Sequence, residues 1–107
     1  MTHTYTLCIR YTIDPSRLPH FKNYVKHELE SIRNAGGKIV GYWLSTDDAG
    51  PVSIAYGIID FMSLGAYEHY RKALAADPLH RHSAEELTRN AAIINMERSL
   101  IERFADS

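Results

Sequence analysis

The hydrophobic and polar positions along the chain predict four strands. Segment 4–13 is dense in β-branched and aromatic residues, which favours a strand, and Pro15 ends it because proline has no N–H to donate. Segments 38–45 and 52–61 have the same character and flank the polar turn TDDAGP, so they predict a hairpin. Residues 92–104 fit both the helical and the strand periodicity, but paired isoleucines and a position at the end of the chain favour a final strand.

A first helix is predicted between the first two strands. Ser16 is its expected N-cap, and Gly36-Gly37 is expected to end it, with one of the two glycines in the left-handed conformation. Apolar residues recur at helical spacing and predict one buried stripe: Leu18, Phe21, Val25, Leu29 and Ile32.

Two more helices are predicted after the hairpin. Ser63 caps the second helix, which Asp77-Pro78 ends. Ser83 and Glu86 fit a capping box and open a short third helix that runs to about residue 91. One face of the second helix is expected to carry Leu64, Tyr67, Tyr70 or Arg71, and Leu74.

The resulting order, β-α-β-β-α-(α)-β, predicts one α+β domain over residues 1–107 with a ferredoxin-like antiparallel sheet and helices on one face. The other face has no cover, although the hairpin strands are apolar on both faces. Four short strands leave roughly 300 Å² or more of open sheet, which is near the limit for a monomer. The sequence therefore predicts a homodimer that packs through its sheet faces.

Several segments are similar to the NIPSNAP family, whose domains belong to the dimeric α/β barrel superfamily. They are RYTIDPSRLPHF, GGKIVGYW, IIDFMSLGAYEHYRKALAADP and IINMERSL, and together they span most of the chain. The resemblance implies two sheets that face each other in a dimer. It also implies relatives of several kinds in the wider superfamily: cofactor-independent monooxygenases, haem-degrading proteins, small decarboxylases and proteins without known catalysis.

The chain departs from the family pattern at three positions. Family members commonly carry an arginine where Ile9 stands, and often a histidine and a tryptophan at the places that align with Gly57 and Ile59. A family activity that used those polar groups is therefore not expected here.

Composition excludes several partners. The 107 residues carry a net charge of −1, and the basic residues are dispersed, so no nucleic-acid surface is predicted. No apolar run approaches the ~20 residues of a membrane span, so no membrane association is predicted. Cys8 is the single cysteine, which makes a reducing cytoplasm the expected compartment.

Neither a metal site nor a nucleophile stands out, and no cofactor is predicted. His80 and His82 are two residues apart, and His20 and His27 are seven apart, so neither pair suits one ion, and solvated surface histidines are expected. Cys8 lies among apolar neighbours and is expected to be inert.

Glu97 lies in a strand that is expected to be partly buried. Its carboxylate needs a partner there, and the choices are Arg10, Arg103 or Arg98 of a second copy. An ion pair is favoured over a catalytic role, and the catalytic residues stay unassigned.

Aromatic residues give the best functional signal. Seven tyrosines occur, and several are expected where the helices meet the sheet, in a pocket for a planar, partly polar ligand with Trp43 as a wall. His27 or His69 would be the axial ligand if the pocket held haem. Core and dimer packing is the competing explanation for these rings. The candidate pocket residues are Tyr24, His27, Trp43, Tyr56, Tyr67, His69 and Tyr70.

The sequence thus favours a small NIPSNAP-like binding or interaction module without catalysis. The alternative is a cofactor-independent, monooxygenase-like enzyme that acts on a small aromatic or polyketide-like substrate, with a tyrosine or a histidine as the base. The sequence does not decide whether the chain is an enzyme.

Overall fold

A computed structural model describes residues 5–50 and 52–105; Thr4, the first residue of the predicted first strand, and Pro51 of the predicted turn lie outside them. The four strands of the described chain are β1 (Tyr5–Ile13), β2 (Lys38–Leu44), β3 (Ile54–Phe61) and β4 (Ile93–Glu102). The α-helices are α1 (Leu18–Asn34), α2 (Leu64–Ala76) and α3 (Pro78–Asn90). The predicted order of elements is confirmed, including the final strand.

The strands form one antiparallel sheet in the order β2-β3-β1-β4. This order and the helices between the strands define the ferredoxin-like α+β fold, as predicted. Tyr11 pairs with Ala55 on one side and with Met96 on the other, which fixes the register at the centre of the sheet. The register shifts near Val40 in β2 and near Ile94 in β4, so each edge strand carries one extra residue.

The core lies between the sheet and the helices. In β1 every second residue from Leu7 to Ile13 is buried, and in β3 Ala55, Gly57, Ile59 and Phe61 face the same side. On α1 the buried residues are Phe21, Tyr24, Glu28, Ser31 and Ile32, whereas Leu18, Val25 and Leu29 are only half-buried. The buried face of α1 is therefore rotated relative to the predicted apolar stripe and includes the polar residues Glu28 and Ser31.

The start of α1 differs from the prediction. Ser16 does not cap α1, whose N-cap residue Arg17 makes no side-chain capping bond. Asp14 caps the 3₁₀ turn Pro15–Arg17 that precedes the helix, and its carboxylate accepts the backbone N–H of Ser16. The end of α1 is as expected, and the left-handed glycine is Gly36, with φ +96°. Gly37 N donates to Ile32 O and Gly36 N to Arg33 O, the paired bonds of a Schellman motif.

The predicted capping box of α3 is wrong. The helix begins at Pro78, five residues before Ser83, and Asp77 caps it by accepting the N–H of Leu79. Proline at the first position of a helix loses no hydrogen bond, so Pro78 ends α2 and also starts α3. Ser83 is consequently a buried residue in the middle of α3.

The sheet face that the helices leave open has an apolar half and a polar half. Trp43 in β2 pairs with Tyr56 in β3, and both side chains are partly exposed. On the β1 and β4 side, Arg10, one of the three partners considered for Glu97, pairs with it at 3.8 Å, but the Glu97 side chain is 60% exposed and not partly buried as predicted. Thr6 donates to Asp60 at 2.7 Å. The part of the open face formed by β2 and β3 is thus apolar, whereas the β1 residues on the same face are polar.

Candidate functional site

Four aromatic rings fill the interior beneath α1. Tyr11 packs edge-to-face against Phe21 with centroids 5.1 Å apart, and Tyr24 and Tyr42 lie 6.4 and 6.1 Å from it. Tyr42 lies against Gly57, where an added Cβ would come within 2.7 Å of the ring. The small residue at position 57 therefore makes room for the Tyr42 ring, whose hydroxyl lies 3.1 Å from that of Tyr11.

A second aromatic group lies beneath α2. Phe61 packs against Tyr70 at 4.8 Å and against Tyr67 at 5.3 Å. Tyr70 is 2% exposed, so its ring is part of the closed core. Both aromatic groups consist of rings in contact with one another, which is the arrangement of a packed interior.

A buried acid–base pair joins α1 to α3. Both carboxylate oxygens of Glu28 lie within hydrogen-bond distance of His80 Nδ1, at 2.8 and 3.0 Å. The Glu28 side chain is 5% exposed and that of His80 is 20% exposed. His80 is therefore not the solvated surface histidine that the sequence predicted, whereas His82, two residues further along α3, is exposed as expected.

The tyrosines Tyr11, Tyr24, Tyr42 and Tyr70, the interior tyrosines, share an electrostatic environment with this pair. Burial raises the pKa of all four above the usual value, and the negative charge of Glu28 raises each pKa further. The positive charge of Arg98 on β4 acts in the opposite direction on Tyr24 and Tyr70. The interior tyrosines are consequently protonated at neutral pH and act as hydrogen-bonding hydroxyls.

Three further polar atoms of the helices are buried. Among the described residues, His27 Nδ1 and Ser31 Oγ on α1 and Ser83 Oγ on α3 have no hydrogen-bond partner. Both α1 and α3 therefore bury polar atoms in addition to those of the Glu28–His80 pair.

The predicted pocket residues do not form one cluster. Tyr24 and Tyr70 face the interior, and Tyr67 is half-buried beside Tyr70. Trp43 and Tyr56 lie on the open sheet face instead, and His69 is exposed on α2. The structure thus divides the predicted set between the interior, the open face and the surface of a helix.

A shallow apolar groove lies at the free edge of β2. It has a volume of about 170 Å³ and is bounded by Phe21, Val25, Tyr42, Trp43 and Leu44, with Lys22 at its rim. This volume is below the range of ordinary ligand pockets, about 300–1,000 Å³.

Glu28 and His80 were not predicted as a site. They are 52 positions apart, and no local pattern joins them. Glu28 nevertheless follows Tyr24 by four residues and precedes Ile32 by four, which places it on the buried stripe. A carboxylate at a core position of a helix is the signal that could have directed attention to it, since buried charges require a partner.

The described residues include no group of three or more His, Cys, Asp or Glu side chains placed to hold a metal ion. No helix in that part of the chain combines the length and the apolar character that a membrane crossing requires.

Fold and interior together define a small ferredoxin-like α+β protein with a tyrosine-rich core and a buried glutamate–histidine pair. The sequence profile of the NIPSNAP family matches residues 5–107. The chain therefore belongs to the NIPSNAP family.

Solved structures agree on the fold. A NIPSNAP family protein of unknown function from Agrobacterium tumefaciens is 24% identical, with a TM-score of 0.81, and the match covers 97% of this chain and 93% of that one. Another from the same organism is 19% identical, with a TM-score of 0.85 and coverage of 100% and 91%. A putative antibiotic biosynthesis monooxygenase from Nitrosomonas europaea is 10% identical, with a TM-score of 0.71 and coverage of 97% and 93%.

A search of curated proteins finds no match to the chain. At these identities the structural comparisons establish the fold alone.

Proposed function

We propose that this NIPSNAP-family chain is a binding module without catalysis of its own and that it works as a homodimer through its open sheet face. The observation that carries the proposal is the position of Trp43. Its indole is 51% exposed and lies over Gly41, on the face of the sheet opposite to the helices. Tyr56, its register partner in β3, is 38% exposed, so the two rings form an apolar patch that no helix covers.

The area of the open face suits a dimer. Its four strands are seven to ten residues long, which gives a projected area of about 500 Å² from strand spacing and rise. Side-chain relief brings this towards the roughly 800 Å² that each partner contributes to a standard interface. A second copy supplies the same patch, as a two-fold interface requires.

The polar half of the open face is compatible with a second copy packed against it. Arg10 and Glu97 already pair within one subunit, and Asp60 accepts the Thr6 hydroxyl. Charges that are paired before association lose less on desolvation than unpaired ones. The polar half can therefore lie at the rim of the interface while the aromatic patch lies nearer its centre.

The packed interior supports binding rather than turnover. The rings around Tyr11 and around Phe61 are in contact, and the interior tyrosines hold their protons far above neutral pH. A tyrosine base would have to lose its proton near the working pH. None of these four hydroxyls meets that requirement.

Sedimentation of the wild type and of Trp43→Asp at micromolar concentration tests the proposal. The wild type is expected at twice the 12.2 kDa chain mass, and the variant at the chain mass with its far-ultraviolet circular dichroism unchanged. Leu64→Asp is the control, since Leu64 on α2 is 49% exposed but lies outside the open face. A folded wild type at the chain mass, or a dimer that survives Trp43→Asp, would refute the sheet-face dimer.

The second candidate is a cofactor-independent monooxygenase that acts on a small aromatic or polyketide-like substrate. It is supported by the Glu28–His80 pair and by the fold shared with the Nitrosomonas europaea protein. One atom of dioxygen would enter the substrate, and the other would leave as water with two hydrogens taken from the substrate. Oxygen uptake in the presence of a dihydroxynaphthalene, lost in His80→Gln, would favour this candidate over the binding module.

We propose the cytoplasm as the compartment. Cys8 is the single cysteine and is a free, half-buried thiol, which suits a reducing environment. Cell fractionation tests this, and recovery of the protein outside the cytoplasm would contradict it.

A further inference from the structure

The Glu28–His80 contact determines which nitrogen of the imidazole carries the proton. An ionised carboxylate has no hydrogen to donate, so His80 Nδ1 must donate to Glu28. A neutral imidazole has only one N–H group. The Nε2 atom of neutral His80 is therefore unprotonated and carries a free lone pair.

The Nε2 atom of His80 has no hydrogen-bond partner in the described part of the chain. The His80 side chain is 20% exposed. His82 provides the contrast on the same helix: its own Nε2 contacts Glu86 at 3.1 Å, and its side chain is 61% exposed. Of these two histidines, His80 has a buried carboxylate at Nδ1 and no hydrogen-bond partner at Nε2 in the described part of the chain.

Arg98 supplies a positive charge that acts on two of the interior tyrosines on which Glu28 also acts. Arg98 is on the helix-facing row of β4, opposite Ile9, and forms no ion pair within 4 Å among the described residues. Arg98 and Glu28 both influence Tyr24 and Tyr70, so the guanidinium and the carboxylate act on the same two hydroxyls. The exposed Arg98 guanidinium therefore offsets part of the effect of the Glu28 charge on these two tyrosines.

We propose that His80 binds a small molecule through a weakly acidic hydroxyl, a phenol or an enol, and accepts its proton at Nε2, with Glu28 as the positioning residue. This inference goes beyond the sheet-face dimer, because His80 lies on the helix layer of the subunit. The O–H proton passes to Nε2 while the electron pair stays on the ligand oxygen. The imidazolium that forms remains paired with the Glu28 carboxylate, and the proton returns when the ligand leaves.

The proposal is tested by adding the protein to 4-nitrophenol at a pH just below the pKa of the free phenol. The phenolate absorbs in the visible range, so its formation can be followed directly. The wild type is expected to increase the phenolate band on binding. His80→Gln is expected to bind roughly tenfold or more weakly, the effect of losing a hydrogen bond to a charged group, and to give no phenolate signal. His82→Gln is the matched control and is expected to behave as the wild type.

Nitrogen-15 spectra of the imidazoles provide a second readout that needs no variant to fold. In its neutral form, His80 is expected as the Nδ1–H tautomer, because Nδ1 donates to Glu28. Glu28→Gln is expected to mix the tautomers, because an amide both donates and accepts.

An Nε2–H tautomer of His80 in the wild type would overturn the proposal. So would a 4-nitrophenol spectrum that does not change when the wild-type protein is added, or one that changes as much with His80→Gln as with the wild type. Sedimentation of the same samples separates this proposal from the dimer, since a dimer without the phenolate signal refutes the ligand class alone.

Discussion

Both carboxylate oxygens of Glu28 lie within 3.0 Å of His80 Nδ1, so a largely buried pair, in which Glu28 is 5% and His80 20% exposed, joins α1 to α3. The neighbouring pair on α3, His82 with Glu86, has a similar contact distance of 3.1 Å but is exposed. The two pairs differ in burial and in reach, since Glu28–His80 joins two helices and His82–Glu86 lies within one, so their comparison shows what the buried contact between helices contributes.

We expect His80→Ala to lower the free energy of unfolding by about 1–3 kcal/mol, since it leaves the buried Glu28 carboxylate without its hydrogen-bond donor. His82→Ala should cost about 0.5 kcal/mol or less, because exposed pairs at this spacing contribute little. Urea denaturation at neutral pH measures both. Equal costs for the two variants would show that the buried pair does not hold α1 to α3.

Stability should fall at alkaline pH. The pKa values of the interior tyrosines are raised by burial and by the charge of Glu28, so the unfolded chain loses these protons more readily than the folded one. Their contribution is complete below the unfolded pKa of about 10 and is lost as the pH rises above it. Urea midpoints measured from about pH 8 to pH 11 test this, and a flat profile would contradict it.

The two left-handed positions at helix ends should respond in opposite directions. Gly36 ends α1 with φ +96°, and Gly36→Ala is expected to cost about 1 kcal/mol because a Cβ is strained there. Ala91 ends α3 with φ +51°, so Ala91→Gly is expected to stabilise the protein by up to about 1 kcal/mol. Thermal unfolding of the two variants measures both, and shifts of the same sign would exclude a common backbone cause.

Gly37 should be intolerant of a side chain for a different reason. An added Cβ would lie 2.8 Å from Ile32 Cγ2 and 3.0 Å from Ile59 Cγ2, so Gly37→Ala is expected to cost about 1–3 kcal/mol through overpacking. Gly65 on α2 is the control: its Cβ would meet nothing closer than 3.8 Å, and Gly65→Ala should be neutral or stabilising. Chemical denaturation that shows no loss for Gly37→Ala would contradict the close approach of the core.

The sequence predicted the fold because its strands and helices follow the two hydrophobic periodicities. It placed all seven elements in order, and the end of α1 at Gly36-Gly37 was correct in mechanism. The start of α3 was missed because Pro78 was interpreted only as the end of α2. A proline preceded by a capping aspartate also begins a helix, and the sequence contains both.

The site was harder to predict for a physical reason. Glu28 and His80 meet only through the packing of α1 on α3, and polar residues give no periodic signal of their own. The pocket prediction gathered aromatic residues by type, although the alternation of β2 and β3 places Trp43 and Tyr56 on the face opposite Tyr42. Because both rows of the hairpin are apolar, the sequence could not tell which row faced the helices.

The emission of Trp43 is the sharpest test of the sheet-face dimer, because Trp43 is the only tryptophan of the chain and lies on the proposed interface. We expect a blue-shifted emission that acrylamide quenches poorly at micromolar concentration, and a red shift as dilution separates the subunits. Emission at the wavelength of a half-exposed indole, readily quenched and unchanged across concentration, would contradict it.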